Sequence, residues 1–404
     1  MNKRITSWCL FDFANSSYSA VIAATIFPVY YANIIVGNAA GMGDVWWGRA
    51  ISVSMAIVAI TSPFLGGIAD YAKIRKRLLL FFTFLCIAAV ASFSFLRKDM
   101  AIEGFALIVL ANVGMEGGLV FYNSFLPEIV KPTHQGRVSA WGFGTGYAGS
   151  IFSLLFALFL VRHHMIDIIW LMVALFFAVF SLPAFIFLPK DPKIGKRILI
   201  SAKDGFHHTW GQLKKMWLNK NQRRFLIAYL IYEDGVNTVI IFSSIYAATT
   251  LGFKSEELIY MYLVVQATAL AGVFLMARYI DYWGPKRVTL ISLILWIAIS
   301  IAIFFVHGKL LFAIIASVAG FGLGTIQAAT RAFYTQFILR GKESEFFGVY
   351  SFVGKSSAIM GPLVFGYISS AFGSQRPAVL SIALFFLLGF IIIKTVRGGQ
   401  PNVS

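Results

Sequence analysis

Charge is scarce in this chain. Asp, Glu, Lys and Arg make up 13% of its 404 residues, against roughly 25% in a soluble domain, too few to coat a water-facing surface. Acidic residues are scarcer still, 17 against 34 Lys and Arg. The two cysteines, Cys9 and Cys86, have neither metal-ligand nor redox spacing, which excludes a disulfide or zinc framework. The six histidines (His134, His163, His164, His207, His208 and His307) lie at or beyond the ends of apolar segments. No metal cluster is expected from them, although His163-His164 and His207-His208 remain open as weak surface ligands. No H-E-x-x-H, G-x-S-x-G or Walker motif occurs. Gly144-Thr145-Gly146-Tyr147-Ala148-Gly149 fits G-x-G-x-x-G, but no strand precedes it and it lies inside an apolar helix, so a dinucleotide site is rejected. These absences speak against an enzyme, and no cofactor is expected.

Apolar sequence is what fills the space. Hydrophobic residues make up 59% of the chain and the mean hydropathy is +0.79. Many runs of 18 or more largely apolar residues imply membrane spans, and backbone groups in lipid must be satisfied within each span, so each is predicted to be an α-helix. The expected spans are 8–36, 46–69, 78–96, 104–128, 138–161, 167–188, 225–250, 257–279, 288–306, 310–338, 346–372 and 377–394. The resulting fold class is an all-α membrane protein, twelve transmembrane helices in two pseudo-symmetric six-helix bundles. Residues 1–189 form the first bundle and 225–404 the second. Between them, 190–224 is a basic linker in which Trp210, Leu213, Met216 and Trp217 recur at helical spacing beside Lys214, Lys215 and Lys220. That pattern suits a helix lying on the membrane surface as well as it suits a solvated linker. Met1-Asn2-Lys3-Arg4 resembles the start of a signal peptide. Asp12 interrupts the apolar run and no Ala-x-Ala follows, so an uncleaved first helix is expected.

The net charge of +17 invites a nucleic-acid reading, but its distribution argues against one. With these spans, 25 of the 34 Lys and Arg fall on one side of the membrane. The positive-inside rule then places both termini and the linker in the cytoplasm of a bacterial inner or plasma membrane, with anionic lipid headgroups as partners of the basic charge.

The two halves repeat. Asp70-Tyr71 precedes Arg75-Lys76-Arg77, and Asp281-Tyr282 precedes Gly284-Pro285-Lys286-Arg287, 211 residues later. Gly142 and Gly149 recur as Gly354 and Gly361, offset by 212. Asp12 and Asn15 of span 1 answer to Asp234 and Asn237 of span 7. Paired six-helix repeats of this kind are the plan of a secondary transporter. An aspartate at a helix end, followed by basic residues, can pair with a neighbouring helix or its dipole in one conformation only. Asp70, Arg75, Arg77, Asp281, Lys286 and Arg287 are therefore candidate gating residues, with pure topogenic charge as the alternative.

Ionisable groups inside the bilayer are costly and normally face a cavity or a partner. Asp12, Glu116, Glu233, Asp234, Arg331 and Lys355 are such groups, in spans 1, 4, 7, 10 and 11. At 1.5 Å per residue, Asp234 and Lys355 lie about 14 Å into their spans and Glu116 about 17 Å, near mid-membrane. Asp12 and Arg331 lie nearer the cytoplasmic boundary; they line the cavity, form a cytoplasmic gate pair or snorkel to the interface. Asn112, Glu116 and Asn123 share one face of span 4, and Gln327, Arg331 and Tyr334 one face of span 10. Such stripes line aqueous paths or make interhelical hydrogen bonds. The expected site gathers Lys355, Glu116 and Asp234, with Glu233, Asn15, Asn123, Asn237 and Gln327 as further substrate-binding or proton-coupling candidates. A cation and two carboxylates suit a zwitterion such as an amino acid, and a carboxyl of the set could carry a proton.

Gly66-Gly67-Ile68-Ala69-Asp70 and the basic cluster after it resemble the signature G-x-x-x-D-[RK]-x-G-[RK]-[RK] of the major facilitator superfamily, with Tyr71 and Lys73 as departures. Within it, the chain resembles the bacterial branch of the autophagy-related vacuolar effluxer family. The residues carrying this are Trp8–Ser16, Phe121–Glu128, Tyr147–Gly149, Tyr232–Val236, Gln327–Arg331, and Phe346-Phe347-Gly348-Val349-Tyr350 with Gly354–Ser357 and Gly361-Pro362. The resemblance implies twelve helices, alternating access and movement of a small solute; fungal vacuolar members are associated with amino-acid efflux. The expectation is thus a monomeric secondary transporter of a small polar solute, with amino-acid efflux and proton coupling as its finer form. Other solutes (sugars, nucleosides, metal chelates, cell-wall fragments, drugs) and a non-transporting sensor or a lipid scramblase are the alternatives.

Overall fold

The computed structural model describes residues 2–37, 42–192, 211, 214–357, 360–372 and 374–398, and the described residues form helices and turns without a strand. The helices are α1 (Lys3–Val36), α2 (Met42–Ala72), α3 (Arg75–Ser92), α4 (Ala101–Ser124), α5 (Gln135–Arg162) and α6 (Ile166–Phe187). Then come α7 (Lys220–Leu251), α8 (Ser255–Trp283), α9 (Pro285–Phe304), α10 (Lys309–Thr335), α11 (Glu343–Ser356), α12 (Met360–Phe372) and α13 (Gln375–Thr395). Among the described residues, eleven helices are long and apolar enough to cross a membrane; the remaining span is divided into α11 and α12.

Side chains at the helix ends account for several boundaries. Asn219 accepts the N–H groups of Asn221 and Gln222, and Ser374 accepts that of Arg376, each taking up orphan donors of a first turn. Asp191 does the same for α3, accepting from Lys76 and Arg77 at 2.9 Å each. Gly284, at φ +83°, separates α8 from α9, which Pro285 opens. That torsion is open to glycine, and the fixed φ of proline suits a first helical position.

Two deviations from regular helix were not legible in the apolar pattern. α1 is π-helical over Tyr18–Thr25 and Tyr31–Val36, a geometry that clusters at functional sites. Span 11, expected as one helix over 346–372, breaks after Ser356. Gly361 and Pro362 follow within the first turn of α12. Proline is tolerated there because its missing N–H has no intrahelical role, whereas inside a continuous helix it would remove a bond and clash with the preceding turn.

The chain forms two compact units: Met1–Ile129 with Thr145–Trp210 and Arg340–Phe352, and Val130–Gly144 with Gly211–Leu339 and Val353–Ser404. In the first, α1 packs on α6, α3 on α4 and α6, and α2 on α4; in the second, α7 packs on α13, α9 on α10 and α13, and α8 on α10. These pairings are the same when span 7 is set against span 1, so the repeat in the sequence is a repeat in packing. Aromatic rings fill both cores. Trp8 stacks on Tyr122 (centroids 4.7 Å apart) and donates Nε1–H to its carbonyl (3.0 Å); Trp296 stacks on Phe386 (5.3 Å). Of the linker, Trp210 and Leu213 lie outside the described residues; residues 214–218 are helical, with Met216 buried and Trp217 exposed.

Candidate functional site

The two repeated aspartates occupy equivalent places. Asp70, at the end of α2, accepts through Oδ2 the backbone N–H of Glu345, third residue of α11 (2.8 Å). Asp281, at the end of α8, accepts through Oδ1 the N–H of Arg137, third residue of α5 (3.0 Å). A carboxylate on the unpaired donors of a first turn is favoured by hydrogen bonding and by the helix dipole. Close backbone approach makes room for both contacts. A side chain on Gly66 would strike the carbonyl of Ser344, one on Gly348 the carbonyl of Ser62, and one on Gly136 Ile280 and Asp281.

The basic residues after the two aspartates differ. Arg75 is the hub of the first unit. It donates to Asp70 (2.9 Å), Glu128 (2.7 Å) and Glu343 (2.7 Å), and its Nε–H to Ser344 Oγ (2.8 Å), with 13% of its side chain exposed. The planar guanidinium, with five donors, is suited to binding several acceptors at once. In the second unit Lys286, at the matching offset, donates to the carbonyl of Lys394 (3.1 Å), and Asp281 is paired with Arg137 (3.5 Å). Arg77 gives its backbone N–H to Asp191 and its side chain is exposed, as is that of Arg287. Glu128 and Glu343 were not anticipated as partners of Arg75. Their scarcity was the available signal, since so few acids lie on the basic side of this chain.

In the first unit Glu116 is half-buried on α4, within electrostatic reach of Tyr18 and Cys86. One turn away, Asn112 accepts from Tyr18 (3.4 Å) and donates to Ser54 (2.6 Å). Tyr18 opens the π-helical stretch of α1. Asn15 is buried and donates to Asp12 (3.3 Å), whereas Asn123 is half-buried.

In the second unit Glu233, Asn237, Gln327 and Lys355 are all partly exposed, and Glu233 and Lys355 are close enough to act on each other's charge. Asp234, its neighbour in sequence, is engaged at the start of α12. It is 3% exposed, and both its oxygens accept the N–H of Gly361 at the start of α12 (2.9 and 2.8 Å). A side chain on Gly361 would collide with Thr238 and Asp234. Asn237 donates to Ser357 Oγ (3.1 Å), which donates to the carbonyl of Gly354 (2.7 Å). Asp234 thus holds the broken span, and Glu233 lies within electrostatic reach of Lys355. On span 10, Gln327 keeps exposure. Arg331 is buried, donating to Ser139 Oγ (2.9 Å) and O (2.7 Å) and lying 4.0 Å from the ring centre of Phe143. Tyr334 is buried and stacks on Phe225.

The repeated helix packing, the eleven described helices long and apolar enough to cross a membrane and the divided span fit a multi-pass membrane protein of the major facilitator class. The chain is similar in fold to the human organic anion transporter MFSD10 (TETRAN), with a TM-score of 0.80 and 14% identity over 97% of this chain and 99% of that one. It is likewise similar to the Escherichia coli fucose:proton symporter FucP, with a TM-score of 0.75 and 14% identity over 98% of each. A family model described as vacuole effluxer Atg22-like matches residues 49–400, and the chain belongs to that family. Among its relatives is the uncharacterized MFS-type transporter YxiO of Bacillus subtilis, 27% identical over 98% of this chain and 96% of that protein. Autophagy-related protein 22 of Kluyveromyces lactis is 26% identical over 83% of this chain and 76% of its own length.

Proposed function

We propose that this transporter moves a small zwitterionic solute, amino acids being the first candidates, out of the cytoplasm by alternating access coupled to protons. The observation that carries this reading is the placement of Glu233 within electrostatic reach of Lys355 in one unit, both side chains partly exposed. A pair of opposite charges left accessible matches a ligand carrying an ammonium and a carboxylate, each of which replaces one partner of the pair. Asn237, which donates to Ser357, and Gln327 are partly exposed neutral groups of the same unit. Glu116, beside Tyr18, supplies a carboxyl in the first unit that can exchange a proton. The direction rests on the effluxer description of the family. The membrane is the bacterial plasma membrane, with both termini on the cytoplasmic side as the basic bias requires. Asp70 and Asp281, each on a first helical turn, act as gate contacts made in one state of the cycle.

Flux in proteoliposomes tests the reading. Labelled amino acids should move faster than through empty vesicles, and an imposed pH gradient should change the rate. Lys355→Met should abolish movement with the melting temperature kept. Flux of no amino acid under either condition would overturn the solute assignment, and flux indifferent to pH the coupling.

A further inference from the structure

In the first unit a cavity of about 420 Å³ opens beside Arg75. Its wall carries four acidic and four basic side chains, and their hydrogen-bonding capacity is unequally spent. Asp70 uses both oxygens, on Arg75 and on the N–H of Glu345. Glu343 uses both, on Arg75 and on the N–H of Gly341 (2.9 Å). Asp191 uses both on the first turn of α3. Glu128 gives Oε2 to Arg75 and keeps Oε1 open. The bases stand the other way. Arg75 is saturated, but Lys73, Lys190 and Arg340 line the same cavity, are exposed, and make no hydrogen bond or ion pair among the described residues.

Three cations around one cavity, without partners among the described residues, repel one another, and an anion seated among them removes that repulsion. Their donors match the oxygens of a phosphate group, to which Lys and Arg bind through short charge-assisted hydrogen bonds. Glu128 Oε1 would accept from a hydroxyl or amine of the same ligand. The volume falls in the range of small-molecule sites, roughly 300–1,000 Å³. We infer that this cavity is a second ligand site, separate from the transport site, for a small phosphate-bearing anion.

Its position gives it a consequence. Lys73 lies in the turn after α2, Lys190 in the segment after α6, and Arg340 in the turn before α11. One anion held by all three ties these turns together and keeps the first turn of α11 on Asp70. Bound ligand therefore slows any cycle in which that contact must open. The inference does not depend on which solute is carried.

Thermal melting of the purified full chain in detergent tests this, with sodium pyrophosphate titrated against sodium chloride at matched ionic strength. The expected result is a saturable rise in Tm with pyrophosphate alone. A variant carrying Lys73→Ala, Lys190→Ala and Arg340→Ala should keep its unliganded Tm and lose affinity by about tenfold or more. Should that variant melt early, Arg340→Ala alone serves for the same titration. A parallel measurement in phosphatidylcholine nanodiscs, with and without phosphatidic acid, separates the sources. A response to pyrophosphate assigns a soluble ligand, and a response to phosphatidic acid alone assigns a lipid headgroup. No response to either, or an equal response in the variant, overturns the site.

Discussion

The carboxylate of Asp70 holds two things at once: the guanidinium of Arg75 at 2.9 Å and the backbone N–H of Glu345 at 2.8 Å. Asp281 makes the equivalent helix-end contact with Arg137, without a hub arginine shared among three acids. The two repeats therefore use one device with different reinforcement. Removing either aspartate frees first-turn donors, at about 1 kcal/mol for a capping interaction. Removing Asp70 also disturbs the Arg75 network. Asp70→Ala should lower the melting temperature more than Asp281→Ala does, and transport rates should change in both. Equal losses would show that the network around Arg75 adds nothing to the cap.

Arg75 itself should be less replaceable than the acids around it. Arg75→Met leaves Asp70, Glu128 and Glu343 close together with no cation among them, and breaking a buried pair from one side costs about 3–5 kcal/mol. Arg75→Lys retains the charge but cannot fork across three carboxylates, so it should fall between the two. Melting curves of the three proteins in one detergent decide the order. The expectation fails if Met and Lys are indistinguishable.

Much of this was legible beforehand, for reasons that particular residues make plain. Apolar runs set the helices, and the repeated Asp70 and Asp281 turns set the two-fold plan, because lipid and topology leave strong marks on composition. The broken span was not legible, since Gly361-Pro362 is compatible with either a kink or a first turn, and only packing chooses. Nor did the sequence separate Glu233 from Asp234. Adjacent residues on a helix lie about 100° apart, so they face different neighbours. Asp234 reaches Gly361, and Glu233 lies within electrostatic reach of Lys355. Arg75 meets Glu128 and Glu343 at sequence separations of 53 and 268 residues, distances over which no local spacing rule operates.

The different duties of Asp234 and Glu233 predict different losses. Asp234→Ala leaves the Gly361 N–H buried without its acceptor, at about 1–3 kcal/mol, and Gly361→Ala forces a side chain against Thr238 and Asp234. Both should lower the melting temperature. Glu233→Gln should leave it nearly unchanged and reduce flux instead. A melting loss in Glu233→Gln as large as in Asp234→Ala would remove the distinction.

Acid should dismantle the Glu257–Lys309 contact. Glu257 accepts the N–H of Lys254 (2.6 Å) and two hydrogen bonds from Lys309 Nζ (3.0 and 2.7 Å). The Lys254 N–H and then Lys309 hold its carboxyl below the usual glutamate range. A carboxyl with a depressed folded-state pKa adds stability that is present above its unfolded pKa and is lost as the pH falls through the folded one. Wild-type protein should therefore melt slightly above Glu257→Gln at neutral pH, by a small margin because the pair is exposed. The two curves should begin to converge as the pH drops below the ordinary glutamate value, about 4.3, and meet only below the lower folded-state pKa. High salt at neutral pH should shrink the same margin by screening the ion pair. A margin that persists in acid would mean that Glu257 acts through packing and not through its charge.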